Sequence, residues 1–182
     1  MATHHLDILE KEEYHFARLP ADDAELTVFR VGHEHWGPEM RIHRWIPHRQ
    51  ILIYVVRGNG RFLTTRGMVE IGAATFLVHD GESLFDIGTG GNELELYIVP
   101  CGGRGCRELL HALLGADRAA WRLENPFDVQ QLFELLFDEA RRRTRHAHDI
   151  CAHYLQVILR KVAEDRLPRN HRSSRTRSEE HT

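Results

Sequence analysis

Lysine is nearly missing from this chain: of its 24 basic residues only Lys11 and Lys161 are lysine, and the rest are arginine. Net charge is nearly missing too, because 27 acidic residues leave a formal value of -3. That balance excludes a nucleic-acid binder held by its overall field. No apolar run approaches the roughly 20 residues that span a bilayer. The start, Met1-Ala2-Thr3-His4-His5, lacks the apolar core of a signal peptide, so the expected location is cytoplasmic. Cysteine is scarce and odd in number: Cys101, Cys106 and Cys151, with no Cys-x-x-Cys spacing. Neither a disulfide framework nor a four-thiolate zinc site is indicated, and reduced, partly buried thiols are expected. Gly-x-Ser-x-Gly, a phosphate-binding loop and a Gly-x-Gly-x-x-Gly turn opening a helix are all absent. No catalytic group stands out.

What is present reads as one domain of 182 residues with an ordinary 42% of hydrophobic residues. Its first hundred residues follow strand rules. Ala24–Val31 is rich in β-branched and aromatic residues, and Ile51-Leu-Ile-Tyr-Val-Val56 is an apolar run of strand length, suited to burial on both faces. Arg57-Gly58-Asn59-Gly60 reads as a tight hairpin turn, with Arg61–Thr65 leaving it. Met68–Ile71, Thr75–Val78, Leu84–Ile87 and Leu94–Val99 continue the series, as in a sandwich or small barrel. After Gly105 the apolar period changes to that of helices. Arg107–Leu114 is short and stopped by Gly115. Asn125-Pro126 then looks like an N-cap and first helical position, ahead of a stripe of Val129, Leu132, Phe133, Leu136, Phe137 and Ala140. Ala147, Ile150, Cys151, Tyr154, Leu155, Ile158 and Val162 repeat that stripe before Pro168. The fold class is therefore α+β, mainly β: an antiparallel β-barrel followed by an antiparallel helix pair.

Fourteen histidines invite a metal hypothesis. A small barrel with several of them is similar to the cupins, whose metal-binding members use two histidines one residue apart, then a glutamate, then a later histidine. His43 fits the first position, but Trp45 stands at the second, Gln50 or Ile51 at the carboxylate, and Ser83 or Leu84 at the last. One imidazole cannot build such a site. No metal and no cofactor are expected. His33 and His35 read as exposed or hydrogen-bonded strand residues.

Taken in order, Arg44, Gln50-Ile-Leu-Ile-Tyr-Val-Val-Arg-Gly-Asn-Gly-Arg-Phe62, Glu70-Ile71-Gly72, Thr75–Val78, Trp121–Pro126, Leu132–Ala140 and Leu155–Ala163 resemble the N-terminal region of AraC/XylS-type transcription regulators. The resemblance covers about residues 24–165 and implies a cupin-like barrel that senses a small effector, with a helical dimerisation element. It divides the chain into an N-terminal arm (1–23), a barrel sensor (24–100), a helical element (101–167) and a polar tail (168–182). The tail is expected to be disordered. Its last six residues, Arg177-Ser-Glu-Glu-His-Thr182, are what a common sequencing adapter spells in translation, so it is expected to be artefactual. The expected function is that of a sensing and dimerisation domain without its C-terminal helix-turn-helix DNA-binding domain, and not an enzyme. A standalone cupin-like isomerase or dioxygenase is the alternative. Arg44, Trp45, Tyr54 and Tyr97 are the candidate ligand contacts: a guanidinium for a carboxylate or sugar hydroxyls, and aromatic rings for an apolar wall. Leu132, Leu136, Ile150, Tyr154 and Ile158 are the candidate dimerisation residues. A small-molecule effector and a second copy of the chain are the expected partners, with DNA reached only through the missing domain and no membrane.

Overall fold

The computed structural model describes residues 3–16, 24–115 and 119–166, with backbone only for 3–5. The tail expected to be disordered, from 168 onward, lies outside the described residues. Ten strands come first: β1 (Thr3–His5), β2 (Ile8–His15), β3 (Thr27–Val28), β4 (Arg30–Trp36), β5 (Arg41–Trp45), β6 (Gln50–Thr64), β7 (Gly67–Gly72), β8 (Thr75–His79), β9 (Leu84–Gly88) and β10 (Leu94–Gly102). α1 (Cys106–Leu114), β11 (Ala119–Arg122), α2 (Pro126–Arg142) and α3 (Ala147–Asp165) follow. Every strand pairing among the described residues is antiparallel. The main strand order is β1-β5-β9-β6-β10-β4-β2. The expected cupin-like antiparallel barrel with following helices is the observed architecture.

Alternation along the strands sorts the side chains into two apolar cores. Ile51, Ile53 and Val55 of β6 point inward with Trp36, Phe62, Leu77, Phe85, Ile87, Leu94 and Leu96, and these fill the barrel. Leu52 and Tyr54 of β6 point outward with Phe76, Tyr97 and Val99, and the helices cover them. The run Ile51–Val56 is apolar throughout because one face meets the barrel interior and the other meets α2.

The hairpin expected at Arg57–Gly60 does not form. β6 runs unbroken from Gln50 to Thr64, and the chain reverses only at Thr65-Arg66. Its first half pairs with β8 and β10, and its second half with β7 and β9. The glycines serve the corner between those halves. Gly58 has φ +96, and a Cβ there would lie 2.0 Å from the carbonyl oxygen of Glu93; at Gly60 it would lie 2.4 Å from that of Gly88. Backbone approaches this close admit no side chain.

The segment read as an N-terminal arm also forms strands. β1 pairs with β5, and β2 pairs with β4 along most of its length. The expected strand Ala24–Val31 is interrupted at Phe29, between β3 and β4. Within the region read as helical, β11 returns to the sheet beside β8.

α2 and α3 pack together as an antiparallel pair. Asp165 at the end of α3 accepts hydrogen bonds from the backbone N–H of Glu124 (2.8 Å) and Asn125 (2.9 Å) at the start of α2. Those N–H groups have no partner within the helix, so the carboxylate acts as a cap supplied by the neighbouring helix. Phe133 of α2 meets the sheet at the rings of Tyr54 (5.4 Å between centroids), Tyr97 (5.8 Å) and Phe76 (6.3 Å). The three cysteines are free and buried.

Candidate functional site

At one end of the barrel a cavity of about 290 Å³ opens between β2, β4, β5 and the start of β6. Met40, Ile42, Ile46, Ile51, Phe85 and Ile98 give it apolar walls, and Leu6 and Ile8 approach from the N-terminal segment. Asp7 anchors that segment. Its carbonyl accepts from Gly37 N–H (2.7 Å), and its carboxylate accepts from Glu39 N–H (3.0 Å). Leu6 and Ile8, on either side of Asp7, are consequently held over the opening.

The polar groups of the cavity come from alternate positions of neighbouring strands. Glu34 of β4 is buried, and its carboxylate accepts from Trp36 Nε1 (2.7 Å) and Arg30 Nη1 (3.1 Å). Arg30 Nη1 also donates to Glu13 Oε2 (2.5 Å), and Lys11 Nζ lies 3.1 Å from the same carboxylate. Burial alone would raise the pKa of Glu13. Hydrogen bonds from His15 and Lys11, with the charges of Arg30 and Lys11, outweigh it and hold the carboxyl at about 2. Arg49 sets its guanidinium over the ring of Phe29, 4.5 Å from the centroid. The side chain of Arg44 lines the cavity and is exposed, and it makes no ion pair or hydrogen bond among the described residues. The cavity thus combines apolar walls with the carboxylate of Glu34, held by Arg30, and the guanidinium of Arg44; Glu13 lies behind Arg30 and outside the lining.

Of the four residues read as ligand contacts, the cavity takes only Arg44. Trp45 is its strand neighbour and therefore faces the other side of β5, where it is exposed. Tyr54 and Tyr97 are paired across β6 and β10 on the outward face, beneath Phe133. Burial, followed by the charge of Glu134, pushes both phenols up to about 12. They bind the helices to the barrel, and the barrel's apolar wall comes from aliphatic residues and Phe85. Among the residues read as dimerising, Leu136 and Ile158 are fully buried within the chain. Leu132, Ile150 and Tyr154 are half-buried, beside exposed Leu135 and Val157. Glu34, Arg30 and Lys11 were not singled out from the sequence. The signal for Arg30 and Glu34 was the alternation Arg30-x-Gly32-x-Glu34-x-Trp36, which His33 and His35 obscured.

The barrel residues do not fit a metal. The inward carboxylate of Glu34 has both oxygens engaged, and His79 packs at 5.0 Å against the ring of Phe85. No group of three or more His, Cys, Asp or Glu among the described residues is arranged to hold an ion. His33 and His35 lie on the outward face, with Nε2 2.9 Å from the carboxylates of Glu95 and Glu93 respectively. His43 bonds Asp86 at 2.7 Å. No helix among the described residues is long and apolar enough to cross a membrane.

No family model matches the chain, and no curated protein matches it. Among solved structures it is similar to the protein YhaK from Escherichia coli, with 15% identity and a TM-score of 0.48 over 63% of this chain and 52% of that one. It is similar to a predicted oxalate decarboxylase from Thermotoga maritima, with 15% identity and a TM-score of 0.40 over 54% of this chain and 90% of that one. A Cupin 2 conserved barrel domain protein from Leptotrichia buccalis shares 13% identity and a TM-score of 0.40 over 63% and 44% of the two chains. The chain thus spans about half the length of the first of these structures.

Proposed function

We propose that this chain is the small-molecule-sensing and dimerisation domain of an AraC-type transcription regulator, acting on DNA through a helix-turn-helix domain elsewhere in the functional protein. The observation that carries the reading is the cavity at the barrel mouth. It is a small apolar chamber with the guanidinium of Arg44 on its lining and Leu6 and Ile8 across its opening. An organic acid with an apolar body suits those walls, its carboxylate taking a bidentate bond from Arg44. A ligand touching Leu6 and Ile8 favours the conformation in which the N-terminal segment is docked. That differential contact is what a population shift requires.

Self-association uses the outer face of the helix pair. Ile150, Tyr154 and Val157 share one stripe of α3, and Leu132 and Leu135 share one of α2. A two-fold pairing sets this surface against its own copy. Sedimentation at micromolar concentration should give a dimer that Leu135→Asp with Val157→Asp converts to monomer; a monomer before substitution refutes the pairing.

A thermal-shift screen of sugars and of aliphatic and aromatic acids tests the sensor reading. A ligand at 100 times its Kd adds about 2.7 kcal/mol to the folded state. For a chain of this size that raises Tm by about 5–10 °C. Carboxylates should produce the shift, and Arg44→Ala should remove it while leaving the unliganded Tm within about 2 °C. No shift with any acid, or an undiminished shift in Arg44→Ala, overturns the assignment.

A further inference from the structure

Two of the three cysteines sit together where the barrel passes into the helices. Cys101 belongs to β10 and Cys106 is the first residue of α1; both are completely buried, and their sulfurs lie 3.8 Å apart. We propose that Cys101 and Cys106 are an oxidation site, a dithiol that a peroxide converts to an intramolecular disulfide at the joint between barrel and helices. The inference stands apart from the ligand reading.

The geometry favours closure. A disulfide needs its sulfurs at about 2.05 Å, and the intervening Gly102-Gly103-Arg104-Gly105 has three glycines to absorb the movement. Gly103 already adopts φ +113. The thiol of Cys101 is raised by its hydrogen bond with Cys106 and by burial, so it keeps its proton and serves as the resolving group. Cys151 is a built-in control: its Sγ bonds the carbonyl oxygen of Leu136 at 3.4 Å, and burial with the charge of Glu139 pushes it up to about 12.

In the first step the Cys106 sulfur attacks one oxygen of the peroxide, the O–O bond breaks, and an alcohol or water leaves with the proton. The sulfur of Cys101 then attacks the resulting sulfenic acid. The S–OH bond breaks, and hydroxide departs as water with the proton of Cys101. Two thiols thus lose two electrons and two protons, which the peroxide takes up. Access requires local opening, since Arg104 N–H and Gly105 N–H bond the carbonyl oxygens of Ala24 (3.0 Å) and Glu25 (3.2 Å) across the connection. Closure draws the start of α1 toward β10. Because α1 packs on α3, the displacement reaches the helix pair.

The test treats the reduced full chain with hydrogen peroxide at a dose that converts exposed Met68 to its sulfoxide, then blocks remaining thiols and digests with trypsin. Cleavage after Arg104 and Arg107 separates the Cys101 peptide from Gly105-Cys106-Arg107 unless a disulfide joins them. The expected result is the joined pair, released by dithiothreitol, with Cys151 still alkylated. In Cys101→Ser the sulfenic acid at Cys106 should persist and be trapped by dimedone. Oxidised Met68 alongside separate, alkylated Cys101 and Cys106 overturns the proposal, as does Cys106 overoxidised without any joined peptide. The wild-type digest decides the matter even if the variant fails to fold.

Discussion

Phe133 fastens α2 to the barrel, and Phe133→Ala measures how much of the fold depends on that contact. The ring is fully buried and stands within 5.4 to 6.3 Å of the rings of Tyr54, Tyr97 and Phe76. Truncating a buried phenylalanine costs about 3–5 kcal/mol, through lost transfer energy and the cavity that remains. Ring pairs are worth about 0.5–1.5 kcal/mol each beyond their area, and three of them meet here, so the upper part of that range applies. A domain stable by about 5–15 kcal/mol loses about a quarter or more of its margin. Urea titration followed by far-ultraviolet circular dichroism should show the midpoint falling with the slope unchanged, and Tm dropping by about 8–20 °C. Phe127→Ala, at an exposed position of the same helix, should stay within about 0.5 kcal/mol. A loss below about 1.5 kcal/mol for Phe133→Ala would refute the claim that these tyrosines are core rather than ligand wall.

The folded-state pKa of Glu13, at about 2, is depressed below the ordinary 4.5, so its contribution is fully present above pH 4.5 and is lost as pH falls toward 2. The size, after allowing for partial exposure, is on the order of 1–2 kcal/mol. Urea midpoints between pH 2 and 6 should fall more steeply on acidification for the natural chain than for Glu13→Gln; parallel curves would contradict the assignment. Gly58→Ala and Gly67→Ala separate backbone strain from collision. Both positions have positive φ, yet a Cβ at Gly67 meets open space while one at Gly58 strikes the Glu93 carbonyl. Gly67→Ala should cost about 1 kcal/mol and Gly58→Ala about 3 kcal/mol or more, by thermal denaturation; equal losses would mean β6 can relax at its corner.

Some of this molecule was legible because its sequence signals have one meaning. The stripe Val129–Phe133–Leu136–Phe137–Ala140 allows only a helix with one apolar face, and α2 has that face buried. Other signals were ambiguous for physical reasons. Arg57-Gly-Asn-Gly fits a hairpin by its φ requirements, but the same residues also suit a strand that must pass two carbonyl groups while changing sheets. Ile51–Val56 is apolar on both faces, so the sequence does not say whether Tyr54 looks into the barrel or toward a helix. Ile8–His15 carries the charges of an edge strand and few apolar residues, and so reads as a loose arm until β4 is there to pair with it. Arg44 was found through the resemblance; its cavity partners Glu34 and Arg30 lie on β4, and pairing, not sequence proximity, brings those strands to one end of the barrel.

The two outermost positions of the main strand order, β1 and β2, are joined only by Leu6 and Asp7. Unpaired strand edges are where chains adhere to one another. Release of this one segment bares the edge of β5 and the edge of β4 together, at the moment the cavity loses Leu6 and Ile8. Cover of the cavity and cover of those two edges are therefore supplied by the same residues. What release changes is the identity of the two borders: the charged edge strand β2 gives way to β4, and β1 to β5.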